Sequence, residues 1–506
     1  MTRRRPALAI LVVILALTLV GVGGSRMAWS ADTRPLRDAV TVAGIREHLA
    51  ALQAIADAHQ GNRAVGSPGF EASADYVRQQ LVAAGYRVTV QHFDVPYFAE
   101  TALPVLAGVS GGRPSYAPVT DVRTMKFSGS GDVTAAVVPV GLPPATQAVS
   151  QSPAQSPAQS PAQSPGGQAP AAAPAAAPAA RSSCASGQYS GFPPGAIALV
   201  LRGGCPFAEK ARVARAGGAA AVVVMNDGSP GRTDPVSGTL ERPGLDLPVV
   251  SVSHRVGTEL AAARPTVHLV TRTVAELRDT ENIIADSSGG RSDRVIMVGA
   301  HLDSVPEGPG INDDGSGTAT VLEIARQLAR QHVTPRNRVR FGFFGAEELG
   351  LLGSEHYVTG LRHDQRARIA AYLNFDMLGS PNYARFVLSG ARPRGTAAIS
   401  RLFVRYFADH RQPVEPEKFD GRSDYAPFAD AHIPVGGLFS GAEEIKTPEQ
   451  AARYGGVAGQ PYDRCYHAAC DTVANIDDQS LDELGDAAAN AVLTLMLTPD
   501  DPRSSG

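Results

Sequence analysis

Seven ionisable side chains in the second half of the sequence have the types and the spacing to bind metal ions. They are two imidazoles and five carboxylates, at His301, Asp303, Asp313, Glu347, Glu348, Asp376 and His467. That many acids cannot share one cleft in their ionised form without a compensating cation. Oxygen and nitrogen ligands without a thiolate suit zinc, with cobalt or manganese as substitutes. The residue types therefore predict a pair of metal ions.

Apolar runs that predict buried strands precede most of these side chains. The run 295–300 is too continuous to be half-exposed, and it ends at His301. A Gly-rich loop with Asp313 follows, and 318–332 then has apolar residues at helical spacing. Further apolar runs occur at 339–345, 370–375 and 433–438. We predict an α/β fold, a doubly wound, mostly parallel sheet with helices on both faces, whose strand carboxyl ends gather the ligands.

The remaining chain separates into a first core segment and a β-rich middle. The segment 42–94 predicts helix, loop, helix and strand, with the strand at 87–93, and no residue in it looks catalytic. The tract 143–183, made of Ser-Pro-Ala-Gln and Ala-Pro repeats, lacks the large apolar side chains that a core needs, which predicts a disordered or polyproline-like loop. Around it, strand-like runs occur at 133–140, 196–201, 219–225, 247–252 and 266–270, with a helix at 207–216.

The amino-terminal residues have the pattern of an export signal. Three arginines at 3–5 precede the apolar run 7–22, and Ala-Trp-Ser at 28–30 offers the small residues that a signal peptidase reads. We predict a signal peptide in 1–30, and the alternative is an uncleaved membrane anchor, because the run is at the lower limit for spanning a bilayer. The protein is therefore expected to be secreted or held at the cell surface.

The four cysteines predict two disulfides in an exported chain. Cys465 and Cys470 are close enough in sequence to pair locally, and Cys184 and Cys205 then remain for each other.

Composition bounds the class of protein. The chain has 506 residues, and its hydrophobic content of 43% supports ordinary globular cores in two or three domains. The net charge of -3 leaves no basic excess for a nucleic-acid footprint. We therefore predict no nucleic-acid partner, and we expect a monomer.

The middle of the chain resembles the protease-associated (PA) domain. The resemblance rests on the pattern Arg-Gly-x-Cys-x-Phe-x-x-Lys at 202–210, together with the apolar stretch 214–226, and it covers roughly 116–273. PA domains are non-catalytic inserts or lids. The repeat tract 143–183 would then be a long surface loop of this domain.

Five motifs in a fixed order resemble the M28 family of di-zinc peptidases. They are His-x-Asp at 301–303, Asn-Asp-Asp-Gly-Ser-Gly at 312–317, Gly-Ala-Glu-Glu-Leu-Gly at 345–350, Asn-Phe-Asp-Met-Leu-Gly-Ser at 374–380 and Cys-Tyr-His at 465–467. Each motif alone is a common turn or strand end, but their joint order is specific. The resemblance is nearest to secreted bacterial aminopeptidases that carry a PA insert.

The resemblance implies a role for each motif residue. His301 and Asp376 match the ligands of one zinc, Glu348 and His467 match those of the other, and Asp313 matches the carboxylate that bridges both ions. The matched catalytic residues are Glu347 as general base, Asp303 as the acid beside His301, and Tyr466 as the phenol that steadies the oxyanion. Arg422 matches a segment that lines the substrate pocket.

The implied domains follow from both resemblances. They are a signal peptide or anchor at 1–30, a first core part at 36–110, the PA domain at 111–278 and a second core part with the metal site at 279–500. Some members of the family bind calcium near the termini, and Asp482 and Asp486 on one helix face, with Asp38 in a predicted amino-terminal strand, are weak candidates for such a site.

The predicted function is that of an exported zinc-dependent aminopeptidase, which hydrolyses the amino-terminal peptide bond of peptides with large apolar first residues. One alternative is a carboxypeptidase or dipeptidase on the same di-zinc scaffold. Another is a non-catalytic PA-bearing binding protein, and the intact set of five ligands argues against it.

Overall fold

The structure is a computed structural model that describes residues 32–109, 115–142, 183–390 and 393–504. The predicted signal peptide and all but the last residue of the predicted loop at 143–183 lie outside these ranges. Within them, no helix is both long enough and apolar enough to cross a membrane. The chain separates into two compact units. One comprises Met1–Gln91 and Asn282–Gly506, and the other comprises His92–Glu281.

The described residues form thirteen strands and twelve α-helices. The strands are β1 (Arg87–Gly108), β2 (Val122–Thr124), β3 (Gly131–Pro139), β4 (Ile197–Leu201), β5 (Ala221–Met225), β6 (Val249–Val252), β7 (Thr266–Asp286), β8 (Arg291–His301), β9 (Asn337–Phe344), β10 (Ile369–Phe375), β11 (Phe386–Ser389), β12 (Glu415–Lys418) and β13 (Val435–Phe439). The helices are α1 (Arg34–Arg37), α2 (Val42–Ala58), α3 (Pro68–Ala83), α4 (Phe207–Ala216), α5 (His254–Ala263), α6 (Gly317–Arg330), α7 (Leu352–Gly360), α8 (His363–Arg368), α9 (Thr396–Asp409), α10 (Tyr425–Asp430), α11 (Pro448–Tyr454) and α12 (Asp478–Leu497).

The first unit contains a mixed sheet whose central strands are parallel. Its strands follow the order β12, β11, β13, β10, β8, β9 and β7. Strands β13, β10, β8 and β9 are parallel neighbours, whereas β11 is antiparallel to β13 and β7 is antiparallel to β9. The predicted doubly wound, mostly parallel sheet is confirmed. Because the four central strands point the same way, their carboxyl ends meet at one edge of the sheet.

Helices cover both faces of this sheet. Val295 and Met297 of β8 belong to an apolar cluster with Tyr372 and with Phe428 of α10. The rings of Tyr372 and Phe428 stack with 3.9 Å between their centroids. Successive side chains of a strand alternate between its faces, so Ile296 of β8 lies on the other side, where it is fully buried. Helices α6 and α12 also contact β8.

The second unit is β-rich, as the PA resemblance predicts. Strands β3, β4, β5 and β6 are parallel neighbours, β2 is antiparallel to β6, and β3 is antiparallel to the first part of β7. Two apolar clusters pack against this sheet, and helices α4 and α5 contact β5. Cys184 is bonded to Cys205 in this unit, and Cys465 is bonded to Cys470 in the first unit, so both predicted pairings are confirmed.

Two strands are much longer than the sequence patterns indicate. The predicted strands at 87–93 and 266–270 extend to Arg87–Gly108 and Thr266–Asp286, and these two strands pair with each other. The chain passes from the first unit to the second within β1 and returns within β7. The division between the units therefore falls inside continuous strands and not in the linkers at which a domain boundary is expected.

Candidate metal centre and active site

The predicted ligands come from the carboxyl edge of the parallel strands and from two loops. His301 is the last residue of β8, and Asp376 directly follows β10. Glu348 lies in the loop after β9, and Asp313 lies in the irregular turn that precedes α6. His467 lies between the two cysteines of the Cys465–Cys470 disulfide. The structure therefore brings all five predicted metal ligands together.

Asp313 lies between the two imidazoles. Its Oδ1 is 3.1 Å from His301 Nε2, and its Oδ2 is 3.1 Å from His467 Nε2. On one side, Asp376 Oδ1 is 3.7 Å from His301 Nε2, while Asp376 Oδ2 accepts a hydrogen bond from Ser423 Oγ at 2.6 Å. On the other side, Glu348 Oε2 is 3.1 Å from His467 Nε2. Asp313 therefore lies between two groups of candidate ligands.

Asp314 is also close to these ligands, but its oxygens are already occupied. A ligand atom of Asp314 lies within 4.8 Å of ligand atoms of His301 and Asp376. However, its Oδ2 accepts a hydrogen bond from the main-chain N–H of His301 at 3.2 Å. Its Oδ1 accepts from the N–H groups of Gly317 at 2.8 Å and Met377 at 3.0 Å. Asp314 therefore holds three main-chain segments beside the centre, which leaves Asp313 as the candidate carboxylate between the two imidazoles.

The charges of the cluster fit divalent cations. Burial raises the pKa of Glu348 to about 7 and raises the pKa of Glu347 well above its usual value. Burial lowers the pKa of His467, but its hydrogen bonds to Asp313 and Glu348 outweigh this effect and raise that pKa to about 10. Within the described part of the chain, Glu348 Oε1 is buried and has no hydrogen-bond partner. The cluster therefore has an excess of negative charge that divalent cations would balance.

Asp303 contacts the imidazole of His301, as the sequence motif predicts, and it also contacts the loop that carries Glu347 and Glu348. The ring nitrogen Nδ1 of His301 lies 3.0 Å from the main-chain oxygen of Asp303 and 3.7 Å from its carboxylate. The Asp303 carboxylate accepts hydrogen bonds from the main-chain N–H groups of Glu347 at 3.1 Å and Glu348 at 3.3 Å. One residue therefore holds the strand end that carries His301 and the loop that carries both glutamates.

Two buried residues that the sequence interpretation missed hold the loop before α6. Arg63, which is fully buried, donates to the carbonyl oxygens of Leu302, of Pro309 at 2.9 Å and of Gly310 at 2.6 Å. The Asp471 carboxylate accepts hydrogen bonds from the N–H groups of Asn312 at 2.8 Å and of Asp313 at 3.0 Å. Both contacts join segments that are more than 150 residues apart, and no local motif marks either residue.

Tyr466 lies beside His467, and Arg422 contacts Tyr466. The ring of Tyr466 stacks on the ring of His467 with 3.8 Å between centroids, and burial raises the pKa of its phenol. Arg422 Nη2 donates to Tyr466 Oη at 3.2 Å. The same guanidinium is paired with Glu443 at 2.8 Å and with Glu444 at 3.1 Å. Arg422 therefore orients the phenol, and its charge is already matched by two carboxylates.

A cavity opens directly onto the metal ligands. It has a volume of about 630 Å³, including the part open to solvent, and its wall contains His301, Asp313, Glu347, Asp376 and His467. Apolar side chains line much of the remainder, at Met377, Leu388, Leu438, Phe439 and Ala442. The wall also contains Glu417, Lys418, Asp420 and Glu444, and the sequence motifs identified none of these four.

A cluster of imidazoles and carboxylates at the edge of a parallel sheet, beside a buried acid and a cavity, is typical of a metal-dependent hydrolase. Comparisons with known proteins give the family. Residues 282–492 match the model of peptidase family M28, and 168–260 match the PA domain. An aminopeptidase of Pseudomonas aeruginosa (strain UCBPP-PA14) is 39% identical, with 89% of this chain and 80% of that protein covered.

Two further relatives have similar names. The "Probable lipoprotein aminopeptidase LpqL" of Mycobacterium tuberculosis is 38% identical, with 97% of this chain and 94% of that protein covered. The "Probable leucine aminopeptidase 2" of Aspergillus fumigatus is 42% identical, with 62% of this chain and 64% of that protein covered.

Among solved structures, the aminopeptidase from Aneurinibacillus sp. strain AM-1 has the same fold, with a TM-score of 0.62 at 23% identity over 93% of this chain and 97% of that chain. The chain belongs to peptidase family M28, as an aminopeptidase that carries a PA domain.

Proposed function

We propose that this chain is an exported two-zinc aminopeptidase that releases large apolar residues from the amino ends of peptides. The observation that carries the proposal is the position of Asp313, whose two oxygens face His301 and His467 at 3.1 Å each. His301 and Asp376 would bind one zinc with Asp313, and Glu348 and His467 would bind the other with the same carboxylate. Nitrogen and oxygen ligands without thiolate suit this metal.

The chain's own residues would perform the proton transfers. When bound, the two zinc ions would acidify the attacking water and polarise the peptide carbonyl. Glu347 would accept the proton of that water and return it to the departing amine, and its raised pKa suits a group that must hold a proton in between. The phenol of Tyr466 would donate a hydrogen bond to the carbonyl oxygen as negative charge develops on it.

The charges of the cavity favour the amino end of a peptide. A carboxypeptidase needs a free cation for the terminal carboxylate. Arg422, the predicted substrate-binding cation, is paired with Glu443 and Glu444, and Lys418, the other cation of the cavity wall, adjoins the carboxylate-bearing Glu417 on the edge strand β12. The buried acids near the ligands would instead hold the free α-ammonium group, a role for which Glu347 and Asp376 are the candidates. The carboxypeptidase and dipeptidase alternatives therefore fit this cavity less well.

Export and substrate preference are further parts of the proposal. The two disulfides are typical of an oxidising compartment. The apolar wall of the cavity suits large apolar first residues, in line with the relative named as a leucine aminopeptidase.

The calcium site stays a prediction. Asp486 Oδ2 lies 3.4 Å from Arg37 Nη1, so a cationic side chain already contacts one of the candidate ligands. The prediction that Asp38 lies in an amino-terminal strand is wrong. Asp38 is the C-cap of the short helix α1, which has a proline at one of its first positions.

A paired digest tests the proposed function. One peptide that begins with leucine is prepared with its amino end free or acetylated, and with its carboxyl end free or amidated. We expect acetylation to abolish release of the first residue, because the α-ammonium group is lost, and amidation to have little effect. Mass spectrometry of the products identifies the end that is cut. Cleavage that survives acetylation but is blocked by amidation would move the enzyme to the carboxypeptidase class.

A further inference from the structure

Glu417 is one of the carboxylates of the cavity that the proposed reaction does not use. Glu417 lies on the edge strand β12, and its half-buried side chain lines the same cavity as Glu347 and Asp376. In the order of the sheet, β12 is three strands away from β10, which Asp376 follows. At the usual spacing of ~4.8 Å between strands, this separation is ~14 Å. Glu417 therefore lies at the end of the cavity that is remote from the metal ligands.

Among the described residues, Glu417 differs from Glu444 of the same cavity wall in having no ion pair, and it differs from Asp420 in being half-buried where Asp420 is exposed. Asp420 accepts a hydrogen bond from the main-chain N–H of Arg422 at 3.0 Å, and Glu444 is paired with the Arg422 guanidinium at 3.1 Å. Among the residues that the structure describes, Glu417 forms no ion pair, and its Oε1 accepts a hydrogen bond from the main-chain N–H of Lys418 at 3.0 Å. Its charge is therefore available to a ligand.

Apolar side chains lie beside Glu417 in the cavity wall. Leu388 of β11 is its partner in the parallel register of β11 and β12. Leu438 and Phe439 of β13 continue this wall toward β10. An apolar channel that ends at a carboxylate is complementary to a side chain with a methylene stem and a cationic tip, because such side chains bury the stem while the charged end finds a polar partner.

We propose that Glu417 selects lysine and arginine as first residues of the substrate, in addition to large apolar ones, by pairing with the side-chain ammonium or guanidinium group. The proposal rests on the proposed aminopeptidase function and names a second substrate class for the same cavity. Burial raises the pKa of Glu417, the nearby carboxylates of Glu444 and Asp420 add to this shift, and the main-chain N–H and the charge of Lys418 only partly oppose it. A cation beside Glu417 would relieve both effects. Lys418 also lines the cavity, but no ion pair joins its ammonium group to Glu417 among the described residues.

The test compares substrates whose side chains share the same carbon chain but differ in charge. The zinc-loaded full-length enzyme is assayed on p-nitroanilides of lysine and norleucine, whose side chains have similar stems, and on the arginine compound. In Glu417→Gln, we expect the ratio of kcat/KM for lysine to that for norleucine to fall by about tenfold or more, because a charge-assisted contact is lost. The ratio of kcat/KM for arginine to that for norleucine should fall in the same way.

Glu415→Gln is the matched control. Glu415 lies two residues earlier on the same strand, but it is paired with Arg453 at 3.0 Å and with Gln450 at 2.7 Å, and it does not line the cavity. The ratio should stay unchanged in this variant. An unchanged ratio in Glu417→Gln, or a wild-type enzyme that releases norleucine but neither lysine nor arginine, would overturn the proposal. If no first residue is released by the wild type, the proposed function itself fails.

Discussion

Replacing Glu347 with glutamine is expected to lower kcat by on the order of 10²-fold or more while the metal content stays unchanged. The amide cannot accept the proton of the attacking water, but it has nearly the same shape as the carboxylate. The main-chain N–H of residue 347 still donates to Asp303, so the loop that carries Glu348 should keep its position. Steady-state kinetics on a leucine substrate and elemental analysis of the same sample measure both quantities.

Glu355→Gln is a suitable control for this change, because Glu355 is an exposed glutamate on the following helix α7. It should have wild-type kcat and metal content. If Glu347→Gln retained near-full kcat, the general base would have to be another carboxylate. If it lost its metal, Glu347 would have to be counted among the ligands.

Replacing Asp313 with alanine is expected to deplete both metal ions and to abolish activity. Both oxygens of this carboxylate face an imidazole, so one substitution removes a ligand from each set. The loss of metal affinity should exceed the roughly 10–100-fold that removal of an outer partner of a ligand costs. Elemental analysis after dialysis measures the metal, and circular dichroism shows whether the fold is retained.

The exposed residue Glu307 in the same loop provides the control, since Glu307→Ala should bind metal normally. A folded Asp313→Ala protein that still held both ions would contradict the assignment of Asp313 as the shared ligand.

The sequence predicts the site better than it predicts the strands around it. His301 and Asp376 follow apolar runs that are buried on both faces, and such runs mark central parallel strands and their ends. Asp313, Glu348 and His467 lie in loops, where only the order of the motifs indicated their role. The structure brings these five side chains together because parallel strands end at one edge of the sheet.

The structural features that the sequence patterns did not predict depend on contacts between distant segments of the chain. Arg63 and Asp471 hold the Asp313 loop through main-chain groups, and hydrogen bonds to main-chain atoms leave no residue pattern at the partner. Strands β1 and β7 extend beyond their predicted ends because they pair with each other, and many of their side chains are exposed, so that no apolar run marks their full length. Glu417 enters the cavity only because β12 is added at the edge of the sheet.

The central claim is that activity depends on two metal ions bound by one shared carboxylate. Its most direct test is a titration of metal-free enzyme with zinc, in which activity on a leucine substrate and bound zinc are measured in the same samples. We expect no activity without metal and a plateau at about two zinc ions per chain. Full activity in protein that elemental analysis shows to be free of divalent metal would contradict this account.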